Sequence, residues 1–386
     1  MKVLFLIDTL EIGGAEQSIL ELCKKFRKTQ GIVCHIYRGD RLKPALEEAG
    51  IPVFSLNITG KYSFLKGRAA VEKIIREELP DLIHSTLFRS GIVARLISRS
   101  RKIPVVDSFV NDSYAPVRWK SMPPLTRMKL HAFQLMDRLT ARWVFRFSAI
   151  TEAVKKSNCR ALGVPEEKVH VIHRGRELTQ FQSCTASQLD QLRSELKIGT
   201  GVPVLLNVAR LIRRKGHLEL IQAMPGVLES FPSARLLIAG EGQDRPVLQE
   251  LIKKTGISEN IQLLGNRSDV QALLQLADVF VFPSHYEGHG GALVEAMFAA
   301  KPIVATDIEV IRESIEHQVS ALLFPLCDVR GMQQAILRML NDRDEASRMG
   351  KNARDAAITK FSIDQVVRKT EDFYEDTVAR WNRQSG

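Results

Sequence analysis

The residues best suited to chemistry lie in Pro283-Ser284-His285-Tyr286-Glu287-Gly288-His289-Gly290-Gly291-Ala292-Leu293-Val294-Glu295, which follows the apolar run 279–282 and opens a helical pattern. Glycines at a strand-to-helix turn leave backbone amides able to hold a diphosphate, because the first N–H groups of a helix have no partner within it. Glu287 lies in the loop and Glu295 within the first turns of the helix. Carboxylates so placed can accept hydrogen bonds from sugar hydroxyls on either side of the phosphates. For Glu295 alone, a role against the helix dipole is the simpler alternative.

A second cluster, Asn207-Val208-Ala209-Arg210-Leu211-Ile212-Arg213-Arg214-Lys215-Gly216, closes another apolar run. Ligands of open α/β sheets bind at the C-terminal ends of strands. Position therefore favours phosphate contact by Arg210 and Lys215 over a plain basic surface, Arg as a planar fork and Lys as a point charge. A third feature, Gly13-Gly14 after the first apolar run, either lets a ligand approach the backbone or serves a tight turn. It lacks the Gly-x-Gly-x-x-Gly spacing, which disfavours a dinucleotide site.

These clusters need a scaffold, and the apolar pattern supplies one. Strand-like runs at 3–7, 82–84, 103–106 and 143–150 alternate with amphipathic stretches at 15–26 and 90–97. The alternation restarts at 202–208 and continues through 235–239, 261–264, 279–282, 302–305 and 321–324, with helical stretches at 216–231 and 245–255. Such alternation marks parallel sheets covered by helices on both faces. The polar stretch 182–201 has no strong apolar period and suits a linker, and a last helix is expected near 363–381.

Composition excludes several classes. With 45% hydrophobic and 26% charged residues the chain is neither disordered nor collagen-like, and its length suits two domains. No apolar run approaches the roughly 18 to 20 residues of a spanning helix. The run 3–7 stops at Asp8, and neither a signal peptide nor an anchor is expected. Five scattered cysteines without a Cys-x-x-Cys pair suit a reducing cytoplasm. The net charge of +11 divides unevenly, +13 over residues 1–200 and −2 over the rest. That half would attract an anionic lipid, nucleic acid or acidic substrate, or is simply a solvated basic surface. From 127 to 150, Met128, Ala132, Leu135, Met136, Leu139 and Trp143 recur at helical spacing beside Arg138, Arg142 and Arg146. This pattern fits an anionic membrane face, and equally a helix packed on the first sheet.

Taken together, Gly13-Gly14-Ala15-Glu16, the stretch 163–169, Ala209-Arg210-Leu211 with Lys215-Gly216, Ala239-Gly240-Glu241-Gly242 and the Glu-x7-Glu pair Glu287 and Glu295 with Lys301-Pro302 behind it resemble the family 4 retaining glycosyltransferases of the GT-B fold. The resemblance implies two Rossmann-like doubly wound α/β domains facing each other across a cleft. Residues 1–185 would bind the acceptor and 186–362 the nucleotide sugar, with 363–386 crossing back to the first domain. It implies that Arg210 and Lys215 hold the donor diphosphate, Glu295 the ribose and Glu287 hydroxyls of the transferred sugar. Amides at His289, Gly290 and Gly291 would complete the pocket, Leu264 and Arg267 would lie in the base-contacting segment, and Gly14 would face the diphosphate from the other domain.

Two departures stand out. Many members carry a histidine where this chain has Val110, leaving the adjacent Asn111 as the substitute that orients the sugar without titrating. His289 stands where the family often has an aromatic or small apolar residue. The reading is a retaining, metal-independent transfer of a hexose from a UDP- or GDP-sugar to a glycan, lipid-linked or small-molecule acceptor. No cofactor, metal or nucleic acid is expected. The enzyme is placed in the cytoplasm, peripherally on a membrane's cytoplasmic face. Rival readings are a nucleotide-sugar epimerase, a phosphorylase-like enzyme, or a donor-binding protein without turnover.

Overall fold

The structure is a computed structural model that describes residues 1–60, 62–100, 103–114, 123–181 and 184–385. It divides into two compact units, Met1–Arg176 with Ile363–Gly386, and Glu177–Ser362.

The first unit is built on seven strands: β1 (Lys2–Ile7), β2 (Gln30–His35), β3 (Val53–Ser55), β4 (Leu82–Thr86), β5 (Val105–Phe109), β6 (Arg146–Ala149) and β7 (Val169–Val171). They lie in the order β3-β2-β1-β4-β5-β6-β7, every neighbouring pair parallel. Because strand side chains alternate, β1 divides its apolar run between two cores. Val3, Phe5 and Ile7 pack with Ile19 and Leu20 of the helix Gly14–Lys25 and with Tyr374. Leu4 and Leu6 pack on the other face with Val71 and Val93.

The second unit carries β8 (Val204–Val208), β9 (Arg235–Ala239), β10 (Ile261–Gly265), β11 (Val279–Phe282), β12 (Ile303–Thr306) and β13 (Leu322–Phe324), parallel in the order β10-β9-β8-β11-β12-β13. Alternation again separates Leu205 from Val204 and Leu206 into opposite cores. In both units the strand order reverses beside the first strand, so the loops after β1, β4 and β5, and after β8 and β11, surround a switch point where ligands of such sheets bind.

Three strands fall outside the expected series. β3 and β7 are three-residue edge strands, too short to show a period, and β2 is a brief apolar run between polar flanks. The expected linker is corrected as well. Residues 186–195 form a helix, begun by a capping box in which the Gln188 amide donates to Thr185 Oγ1 (3.3 Å) and the Thr185 amide to Gln188 Oε1 (2.9 Å). Leu192, Leu196 and Phe181 enter the second unit's core, and Phe181 stacks on Phe298 with centroids 5.4 Å apart. The division thus falls at Arg176 rather than at 185. The last helix, Ile363–Ser385, begins where the Ile363 amide donates to the Arg176 carbonyl (3.0 Å), and it buries Phe373 and Tyr374 in the first unit.

Candidate functional site

In the second unit the two basic and acidic clusters meet. Gly216 has φ +72°, and a Cβ there would stand 2.0 Å from the Pro283 carbonyl oxygen, so only glycine lets the loop after β8 lie on the loop after β11. The contact is then zipped. The His285 amide donates to the Arg214 carbonyl (2.7 Å), Arg214 Nη1 to the Tyr286 carbonyl (3.2 Å), and the Arg214 guanidinium covers the Tyr286 ring at 4.7 Å. This brings Lys215 Nζ into a short ion pair with Glu287 Oε1, both side chains nearly buried, with Nζ 5.7 Å from the centre of the Phe282 ring. Burial pushes the Lys215 pKa down, opposed by the Glu287 charge.

Arg210 is exposed at the end of β8. Gly290, at φ +73°, caps the helix Gly291–Phe298, and Glu295 is half-buried in its second turn. His289 is buried with its ring edge-on to Phe361 at 5.4 Å. Leu264 packs at the border of the core. Arg267 is clamped by Asp269 (2.6 and 2.7 Å) and by Glu195 (2.7 Å), which hold its pKa above the usual range. Its fork is therefore engaged within the protein rather than presented to a ligand.

One set of described residues has cation-ligating geometry. His285 Nε2 lies 3.4 Å from Glu219 Oε1 and 3.8 Å from Cys327 Sγ. Arg213 Nη1 already sits 2.8 and 3.0 Å from the two Glu219 oxygens, so that carboxylate is already paired with a cation.

The first unit carries a cavity of about 380 Å³ at the ends of β1, β4 and β5, between Asp8, Phe88, Phe109, Asn111, Phe133 and Asp137. Asn111 is exposed, its Oδ1 accepting from Ser113 Oγ (2.6 Å), and Val110 borders the same space. One wall is a network invisible in the sequence: buried Arg95 donates to Asp107 Oδ2 (2.6 and 3.0 Å), Thr140 Oγ1 (3.0 Å) and the Asp137 carboxylate, which also accepts from Tyr114 (2.6 Å). His84, the one histidine on these strand ends with catalytic appeal, is buried between Tyr374 and Ser108 Oγ (2.5 Å). Burial lowers its pKa to about 3, so it stays neutral and is no titrating base near neutrality.

The helix Pro124–Ala141 puts Leu130 and Phe133 on that cavity and turns Leu125, Met128, Leu135 and Leu139 outward, each more than half exposed. Arg127, Lys129, Arg138 and Arg142 are exposed beside them. Arg146 is a correction to the expected basic stripe. It lies buried in β6, bonded to Asp376 (2.8 Å) and Thr377 (3.1 Å) and stacked on Phe373 at 4.5 Å.

Two family models account for most of this architecture, one described as Glycosyltransferase Family 4 over residues 12–180 and one as Glycosyl transferases group 1 over 189–356. An uncharacterized glycosyltransferase of Methanocaldococcus jannaschii is 28% identical over 63% of this chain and 63% of its own length. The Escherichia coli UDP-Gal:alpha-D-GlcNAc-diphosphoundecaprenol alpha-1,3-galactosyltransferase is 24% identical over 88% of this chain and 86% of its own. Among solved structures, Anabaena HepE in complex with UDP superposes with a TM-score of 0.84 at 23% identity, over 97% of this chain and all of HepE. The fold is GT-B. The chain belongs to the GT4-type glycosyltransferases.

Proposed function

We propose that this glycosyltransferase moves a hexose from a UDP-sugar, with retention of anomeric configuration and without a metal, onto a lipid-linked glycan acceptor. The observation that carries the donor assignment is the Lys215–Glu287 pair beside the helix start at Gly290 and Gly291. A cation and a carboxylate neutralising each other at a strand-end loop are poised to exchange partners. The diphosphate takes Lys215, with Arg210 and the amides at His289, Gly290 and Gly291, while a sugar hydroxyl takes Glu287. Glu295 takes the ribose, and Leu264 contributes to the base pocket. Arg267 shapes that pocket through Asp269 and Glu195.

Supporting retention, no described residue at the ends of β4 and β5 offers a free titrating base. An inverting enzyme needs a side chain that titrates opposite the leaving group. Asn111 does not titrate, and His84 and Asp107 are locked in internal bonds. In the proposed front-face displacement the leaving diphosphate accepts the acceptor's proton, and Arg210, Lys215 and the helix-start amides stabilise its growing charge. NMR of the product is expected to show the donor's configuration, with turnover unchanged in EDTA. An inverted product overturns the retaining assignment, activity restored only by magnesium overturns the metal-free one, and no transfer with any donor leaves a binding protein.

The acceptor assignment rests on the helix Pro124–Ala141, which lines the first unit's cavity on one side and offers apolar residues flanked by arginines on the other. Such a face suits an anionic leaflet, where apolar insertion and basic attraction add. No described helix is long and apolar enough to cross a membrane. The chain is expected to cosediment with anionic liposomes at low salt and be released by high salt, and Leu135→Glu with Leu139→Glu should abolish binding. Failure to sediment removes the membrane assignment.

A further inference from the structure

The second unit brings together a glutamate, a histidine and a cysteine for which the donor contacts have no use. Glu219 lies in the first turn of the helix His217–Ser230, His285 in the loop after β11, and Cys327 between β13 and the helix Val329–Asn341. His285 Nε2 stands 3.4 Å from Glu219 Oε1 and 3.8 Å from Cys327 Sγ, and the three ligand atoms all lie within 4.8 Å of one another. The backbone fixes two of these positions. The His285 amide donates to the Arg214 carbonyl (2.7 Å), and the Asp328 amide donates to the Pro325 carbonyl (3.1 Å), closing the turn that carries Cys327. Cys327 itself sits at φ +61°, a left-handed conformation that glycine takes freely and a cysteine only at a cost.

The spacings are long for hydrogen bonds and right for a shared cation. An N–H···O bond favours about 2.9–3.0 Å, and one Nε2 hydrogen cannot serve both neighbours well. Ligands held tetrahedrally by one zinc ion, at bond lengths of roughly 2.0 Å for nitrogen or oxygen and roughly 2.3 Å for sulfur, stand about 3.3 Å apart for nitrogen and oxygen and about 3.6 Å for nitrogen and sulfur. The observed 3.4 and 3.8 Å lie close to both. The ligand types select the metal, since a thiolate with an imidazole favours zinc over magnesium or calcium. Arg213 does not bar the ion. Its side chain is more than half exposed, and it can keep Glu219 Oε2 while the metal takes Oε1, the oxygen that faces His285. Ligating carboxylates are commonly hydrogen-bonded in this way.

We infer that Glu219, His285 and Cys327 form a zinc site that clamps the helix after β8 to the loops after β11 and β13. On binding, the Cys327 thiol releases its proton to solvent and its sulfur ligates as the thiolate. Neutral His285 binds through Nε2 and Glu219 through Oε1, and a water takes the fourth position. The clamp is structural, tying down the loop on which Tyr286 and Glu287 follow His285. The ion touches none of the residues assigned to the donor, so the site stands apart from the metal-free transfer proposed above.

The test uses the full chain, reduced and stripped of metal, titrated with zinc against a chromophoric chelator and with cobalt(II) as a spectroscopic stand-in. Cobalt should show a thiolate charge-transfer band together with the intense visible bands of a tetrahedral site. Cys327→Gly should fold as well as the wild type, because glycine suits φ +61°, yet lose the thiolate band. It should also bind zinc at least about tenfold more weakly, the loss that removal of even an outer partner brings. His285→Gln and Glu219→Gln should each weaken zinc by a similar factor, whereas Cys184→Ser should keep both the band and the affinity. Zinc should raise the melting temperature of the wild type and leave that of Cys327→Gly unmoved. Should Glu219→Gln not fold, Cys327→Gly and His285→Gln decide. The inference is overturned if zinc does not bind, if bound cobalt lacks the thiolate band, if Cys327→Gly binds zinc like the wild type, or if Cys184→Ser removes the band. No readout uses sugar transfer, so its failure and that of the proposed function are separate results.

Discussion

Lys215→Ala is expected to lower turnover about 10²–10³-fold, the range for removing one preorganised donor to a leaving group's developing charge. The side chain is suited to that task because its Nζ is nearly buried between Glu287 and the Phe282 ring, where a charge is worth more than in water. Lys215→Arg should recover little, since a planar fork does not fit the space that a point charge fills over Phe282. Removal of Lys215 also leaves Glu287 buried without its cation, so donor affinity should fall along with turnover. Companion variants separate the two glutamates. Glu295→Ala should weaken binding of free UDP, whereas Glu287→Ala should spare UDP and impair the intact UDP-sugar. Wild-type kinetics for Lys215→Ala would refute its contact with the diphosphate, and equal losses for the two glutamates would refute their division between ribose and sugar.

Those residues were legible because each lies in the loop or the helix that directly follows a strand. The apolar runs 235–239 and 279–282 coincide with β9 and β11, and the pattern that marks a strand also marks where its loop emerges. Pairings across the chain were not legible. Nothing in the spacing of Arg267 and Asp269 announces a clamp that recruits Glu195 from another helix, and nothing in Arg174 places it against Gly14. The arginines near residue 140 show the limit of periodicity. Arg138 and Arg142 are exposed as the pattern suggests, but the helix ends at Ala141 and Arg146 enters a buried strand. By contrast the helix at 186–195 was announced by Thr185 and Gln188, a capping signal that composition alone obscured.

Arg95→Met should be the most damaging single change to the first unit, costing about 3–5 kcal/mol of stability, as when one partner of a buried ion network is removed. The helix Phe88–Ser98 is buried along most of its length, and among its apolar residues Arg95 is a cation that two carboxylates require. For a unit of this size the loss should lower its melting transition on the order of 10 °C. The sign of the pH dependence follows from Asp107. Desolvation already raises its pKa, and the Arg95 charge is what holds that rise in check. Without the guanidinium the folded state keeps the Asp107 proton to higher pH than the unfolded chain does. Stability of the variant then falls as pH rises from the ordinary aspartate range through the raised folded pKa. Its deficit against the wild type should therefore shrink on acidification. Adding Asp107→Asn, which removes one stranded charge, should restore part of the lost stability at neutral pH. Equal melting of Arg95→Met and the wild type at neutral pH would show that the network contributes nothing net. A pH-independent deficit would move the cause from stranded charge to the packing of the arginine's stem.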